Sequence, residues 1–115
     1  MWNSDNFGLM VFRDTPDGLR GVYRERQGTF VGDVSADGVL RGWWCEAPTR
    51  TAADDAGEAE WRLVATPDGE VALSSWRYGT QEAARGGWDL NKVGGPEPPD
   101  LAPRFDDAAA FCKHP

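Results

Sequence analysis

The tetrapeptide Thr-Pro-Asp-Gly stands at 15–18 and again at 66–69 in this chain of 115 residues. Proline presets φ near the turn value and glycine closes the reversal, so each copy marks a tight turn. Ser35-Ala36-Asp37-Gly38 and Gln27-Gly28 supply two more turn signals. Short runs rich in β-branched and aromatic residues lie between them, and regularly spaced runs of this kind predict an all-β meander. The strands are expected near 1–4, 8–13, 19–25, 28–34, 39–46, 58–66, 70–78 and 86–93.

Within those runs a small pattern repeats. Leu19-x-Gly21-x-Tyr23, Phe30-x-Gly32-x-Val34, Leu40-x-Gly42-x-Trp44 and Ala72-x-Ser74-x-Trp76 each read apolar, small, apolar at period two. Alternate residues of a strand share a face, so each triplet lies on one side of its strand. Arg20, Arg24, Asp33, Arg41, Glu60, Arg62 and Arg77 fall on the other. One face is free of charge and the opposite face is not, which excludes an outer wall facing lipid.

Register follows from the turns. If Thr-Pro-Asp-Gly is the loop, Asp14 faces Leu19 and Ala65 faces Glu70. Counting back sets Met10 against Tyr23, Phe12 against Gly21, Leu63 against Ala72 and Trp61 against Ser74. Directly opposite residues share a face, and both hairpins then set large inward residues against small ones. The Ser35–Gly38 turn breaks this count, since Val34 would meet Val39 on the wrong side, so a bulge or a five-residue loop is required there. Inward Gly21, Gly32 and Gly42 are read as sharp-coiling points over which a neighbouring ring lies. These observations predict an eight-stranded antiparallel up-and-down meander closed into a barrel over residues 1–94.

Residues 95–115 differ in character. Gly94 to Pro103 is too rich in Pro and Gly for a central strand, and Phe105 to Lys113 reads as a short helix with acids in its first turn and Lys in its last. Cys45 alternates with Trp44 and so points outward beside Trp43. A Cys45–Cys112 disulfide would pin the tail to the barrel exterior and stabilise the fold by about 4 kcal/mol for so long a loop; two reduced thiols are the alternative. With the bond formed, an extracytoplasmic or secreted setting is expected. Phe105 or Phe111 is then expected to cover Trp43; uncovered, Trp43 would be an exposed anchor for a protein partner.

Nineteen Asp and Glu against twelve Lys and Arg leave a formal charge of −7. That balance argues against nucleic acid and anionic membrane surfaces, both of which need cationic contacts. The single histidine is His114, next to last, which removes the usual general base and histidine metal sites. Carboxylates near a barrel mouth are Glu46 and Asp89. The loop from Thr49 to Glu60 gathers Asp54, Asp55, Glu58 and Glu60, a solvated acidic loop whose spacing is not that of a calcium-binding EF-hand loop. No cofactor and no metal are expected, and an enzyme would need a buried carboxylate or tyrosine at the mouth.

The stretch Trp2-Asn-Ser-Asp-Asn-Phe-Gly, followed by Met10 and by Asp17-Gly-Leu-x-Gly-x-Tyr23, resembles the opening of avidin and streptavidin. The run from Trp76 through Gly86-Gly87-Trp88 to Val93-Gly94 is similar to theirs as well. The resemblance covers most of residues 2–94 and implies an avidin-like barrel. It would make Trp44, Trp61 and Trp76 aromatic walls of a ligand pocket, Tyr23 a polar contact, and Trp88 the tryptophan lent to a neighbouring subunit in a homo-oligomer. The chain departs from the family where biotin's ureido group needs polar partners, placing Gly8, Glu25, Ala59 and Pro96 there, and its Gln27-Gly28 turn leaves no room for the family's lid loop. Biotin is therefore not the expected ligand.

The functional expectation is a non-enzymatic, lipocalin-like binding module. A small planar or apolar ligand would enter the mouth near Tyr23, Trp44, Trp61, Ser74 and Trp76, where indole NH and hydroxyl groups supply a few polar contacts. The alternative is a protein-interaction domain, inhibitor-like or an assembly unit, with a packed barrel and contacts through Trp43 or Trp88.

Overall fold

A computed structural model of the chain describes residues 1–52, 54–81 and 83–112. Eight antiparallel strands run in chain order and close on themselves: β1 Trp2–Ser4, β2 Gly8–Thr15, β3 Gly18–Tyr23, β4 Thr29–Val34, β5 Val39–Cys45, β6 Ala56–Thr66, β7 Gly69–Trp76 and β8 Leu90–Lys92, with β8 paired to β1. The expected up-and-down barrel is what the chain forms.

The two Thr-Pro-Asp-Gly turns set the register as their chemistry requires. Met10 pairs with Tyr23 and Phe12 with Gly21, while Trp61 pairs with Ser74 and Leu63 with Ala72. In each turn the threonine hydroxyl donates to the glycine carbonyl at 2.7 Å. Gly18 and Gly69 have φ of 114° and 126°, values that a side chain disfavours. Between β4 and β5 Val34 pairs with Leu40, so the connection is the five-residue loop that the face count demanded. Strand β6 starts at Ala56, earlier than expected, because β5 pairs with it as far as Cys45. β8 is shorter than expected: Trp88 and Asp89 are tied to the amide and hydroxyl of Ser74 instead of joining the ladder.

Inside the barrel Met10, Tyr23, Phe30, Trp44, Ala59, Trp61, Ala72, Trp88 and Leu90 form one buried cluster. Gly32 and Gly42 sit opposite each other, and the Phe30 ring lies over both; a Cβ on either would fall 2.7 Å from its Cζ. Glycine is required there above all by the neighbouring backbone, since a Cβ on Gly42 would fall 2.0 Å from the Val31 carbonyl oxygen and one on Gly32 2.4 Å from that of Arg41.

The tail builds a second, smaller core on the outer wall. Val11 and Val22 on the outer faces of β2 and β3 cluster with Leu101 and Phe111, and Phe105 packs alongside. The expected helix is replaced by two 3-10 turns, Ala102–Asp106 and Ala108–Ala110, interrupted at Asp107 with ψ of 84°. A continuous helix would not keep both phenylalanines on the barrel while bringing Cys112 to Cys45. That disulfide is formed, with Cα atoms 6.2 Å apart. Arg104 donates to the carbonyls of Tyr23 and Gly28 at 2.7 and 2.9 Å, Arg50 reaches those of Cys45 and Ala110, and Arg24 makes a two-point pair with Asp100. Charge-assisted bonds of this kind fix the tail's course.

Candidate ligand-binding site

The barrel has two ends of different chemistry. At the hairpin-turn end, where the Thr-Pro-Asp-Gly turns lie, an open cavity of about 220 Å³ is lined by Trp2, Phe12, Leu19, Val34, Gly38, Leu40, Trp61, Leu63, Ala72 and Leu90. None of these residues carries a titratable side chain. The Trp61 indole NH is occupied inside the barrel, donating to the Trp88 carbonyl at 2.9 Å, so Trp61 offers the cavity ring surface alone. The rim is apolar too, with Val34 62% and Leu63 51% exposed.

At the opposite, loop end the barrel is nearly shut. Tyr23 is fully buried, and the turn at Gly28 lies across its ring so closely that a Cβ there would come within 2.0 Å of ring carbons. Its hydroxyl donates to Glu46 Oε2 at 2.7 Å. Burial, and then the neighbouring Glu46 carboxylate, push the Tyr23 hydroxyl well above its ordinary pKa. Burial also pushes the Glu46 carboxyl up, opposed by the Tyr23 hydrogen bond and reinforced by Glu25. What stays open is a recess of about 40 Å³ among Phe7, Trp44, Glu46, Trp76, Tyr78 and Trp88.

The expected site residues are thus brought to one interior but not to one mouth. Tyr23, Trp44 and Trp61 belong to the inner cluster and Trp76 packs against it. Trp44 and Trp76 line the loop-end recess, Trp61 lines the hairpin-turn cavity, and Tyr23, covered by the Gly28 turn, lines neither. Ser74 is committed internally: its hydroxyl donates to Asp89 Oδ1 at 2.9 Å and accepts from the Trp88 amide at 3.0 Å. Asp89 also accepts the Ser74 amide, which makes it a clamp on the β7–β8 loop and gives its carboxylate a structural partner.

The two tryptophans expected at interfaces lie inside. Trp43 is 3% exposed, clustered with Cys45, Ala56 and Cys112, while Phe105 and Phe111 cover Val11 and Val22 instead. The disulfide itself brings the cover to Trp43, so it is no open anchor. Trp88 is 3% exposed within its own barrel, its ring 5.0 Å from Tyr23, 5.1 Å from Phe7 and 4.9 Å from Trp61.

Sequence reading missed the hairpin-turn cavity because it weighted indoles. The available signal was the inward residues nearest the turns, Leu19, Val34, Leu40 and Leu63, aliphatic groups too short to meet across a barrel that indoles fill at the other end. In the acidic loop Asp55 is taken up by the hydroxyl and amide of Thr49 and by Arg26. Among the described residues no three His, Cys, Asp or Glu side chains gather as a metal site. His114 lies outside the described residues. No family model, no curated protein and no solved structure matches this chain.

Proposed function

We propose that this domain is a non-enzymatic binding module that takes a small apolar or flat aromatic molecule into the hairpin-turn end of its barrel. The observation that carries this reading is the cavity of about 220 Å³ with an uncharged, largely aliphatic and aromatic lining. An apolar cavity of about 150 Å³ already holds benzene in preference to water, so this one suits a group between one and two fused rings. Its walls offer no acid, base or nucleophile, which is why binding is favoured over catalysis. A ligand of that size, held by apolar contact alone, binds in the micromolar to millimolar range.

Kinship with the avidins is part of this proposal and is supported by the Trp2–Tyr23 and Trp76–Gly94 stretches together with the barrel topology. It does not extend to biotin, because the end where the family's pocket would lie is closed over Tyr23. The disulfide supports a place outside the reducing cytoplasm.

The test uses 1-aminonaphthalene, whose emission rises and shifts to the blue in dry surroundings. The wild-type protein is expected to enhance it saturably. Ala72→Phe, which sends a ring into the cavity from β7, is expected to abolish the signal, and Leu63→Arg at the exposed rim to weaken it several-fold. Unchanged enhancement in Ala72→Phe would overturn the assignment. A second reading is favoured by the exposure of Val34 and Leu63: the same cavity receives an apolar side chain of a protein partner or of a second copy. Self-association in sedimentation that Leu63→Arg abolishes would select it.

A further inference from the structure

The loop-end recess differs from the hairpin-turn cavity in kind. Trp44, Trp76 and Tyr78 meet pairwise at steep angles: Trp44–Trp76 at 5.7 Å and 86°, Trp44–Tyr78 at 5.4 Å and 71°, Trp76–Tyr78 at 5.4 Å and 72°. Phe7 closes a further side, 6.3 Å from Trp76 at 89°. Of the three lining indoles, Trp44 donates its NH to the Arg77 carbonyl at 3.1 Å and Trp76 donates to the Gly86 carbonyl at 2.9 Å, while the buried Trp88 NH has no hydrogen-bond partner among the described residues. With those two NH groups engaged, Trp44 and Trp76 meet the recess with ring surface, whose faces carry the negative part of the ring quadrupole. Among the described residues the one charged group in the lining is the Glu46 carboxylate, whose Oε2 is held by Tyr23 while Oε1 is not used by that bond.

The chain already uses two of these rings to hold a cation. The Arg85 guanidinium stands 5.0 Å from the Tyr78 ring and 5.7 Å from the Trp76 ring, fixed there by the paired backbone bonds between Trp76 and Arg85. Arg85 is not among the residues lining the recess, so the recess itself is left to something else. Its volume of about 40 Å³ is the space of about three water molecules, and it is open to solvent, so a compact head group would seat one face in it rather than enter whole.

From these rings and this carboxylate we infer that the loop-end recess binds the positively charged head of an organic ammonium ion, with Trp44, Trp76 and Tyr78 contacting its methyl or methylene groups and Glu46 balancing its charge. Aromatic walls with one acidic residue are how a weakly hydrated cation is chosen over both a neutral molecule and a small, strongly hydrated metal ion. The site shares no lining residue with the hairpin-turn cavity and does not depend on the function proposed for that cavity.

The experiment titrates the intact protein with choline and, separately, with 3,3-dimethyl-1-butanol, its uncharged counterpart of the same shape, following tryptophan fluorescence at fixed ionic strength. Choline is expected to bind at least about 5-fold more tightly than the alcohol, the size of a partly desolvated cation–π contribution. Glu46→Gln, which keeps an oxygen for the Tyr23 hydroxyl, is expected to weaken choline about 5- to 30-fold while leaving 1-aminonaphthalene enhancement unchanged. Should Glu46→Gln fail to fold, Tyr78→Leu on the half-buried outer ring decides the matter by the same loss. A peptide bearing trimethyl-lysine distinguishes the source: choline binding alone marks a free amine, and binding of both extends the site to modified side chains of a polypeptide. Equal affinity for choline and the alcohol, indifference to Glu46→Gln, or no response to choline would each overturn the inference.

Discussion

Glu46 shows how one side chain sets the character of a whole end of the barrel. It lies just past β5, half-buried, with Tyr23 beneath it and Glu25, Arg26 and Asp55 around it. Burial raises its pKa in the folded protein above the ordinary value of 4.5, so folding binds its proton more tightly than the unfolded chain does. Ionisation of Glu46 therefore costs folding free energy, and its contribution to stability falls as pH rises from the ordinary carboxyl range through the raised value. Asp37, drawn down to about 2 by Ser35 and Arg41, and likewise Asp55 and Asp100, work in the opposite sense: their stability is present above the ordinary range and is lost as pH falls. A comparison of wild type with Glu46→Gln cancels those aspartates. The variant is expected to have the higher urea midpoint at pH 8, and the gap is expected to close by pH 4. A gap independent of pH would show that the carboxylate is not penalised by its burial.

At the scale of elements, legibility divided by range. The two hairpins closed by Thr-Pro-Asp-Gly were readable to the residue, because a tight turn fixes register and one register alone keeps Met10, Phe12, Trp61 and Leu63 on the uncharged face. The tail was readable only as a cover. Which outer residues it covers depends on where Arg104 and Arg50 find free carbonyls, a matter of three-dimensional position that no local pattern in residues 95–112 encodes. The disulfide spans 67 residues and joins the tail to β5, while all eight strands pair without it. Cys112→Ser is expected to lower stability by about 2–4 kcal/mol through the greater freedom of the unfolded chain, measured by urea unfolding. Because Val11, Val22 and Val31 lie under Leu101 and Phe111, the variant is also expected to bind more anilinonaphthalene sulfonate than the wild type, the added signal surviving Ala72→Phe. A loss of stability without new dye binding would mean that the arginine anchors alone hold the tail in place.

The whole molecule is a barrel with an opening at each end and an aromatic column between them. Composition and alternation foretold that tryptophans fill the interior, but not that aliphatic residues near the turns leave one end hollow, since that depends on how far side chains reach across a closed sheet. Trp61 floors the hairpin-turn cavity and touches Trp88, which lines the loop-end recess; their rings stand 4.9 Å apart and the Trp61 NH donates to the Trp88 carbonyl. The two openings share no wall residue, yet this one contact spans them. Trp61→Phe removes the donor, leaves a buried carbonyl without its partner at a cost of about 1–3 kcal/mol, and loosens the seat of Trp88. It is therefore expected to weaken both 1-aminonaphthalene and choline, whereas Ala72→Phe blocks the first and spares the second. Titrating each variant with each probe separates the cases: if Trp61→Phe alters only the apolar probe, the ends are independent and the column is packing alone. If both responses fall together, the contact supports both ends, and titrating choline with and without saturating 1-aminonaphthalene measures whether a ligand at one end changes affinity at the other, an effect that by linkage runs equally in both directions.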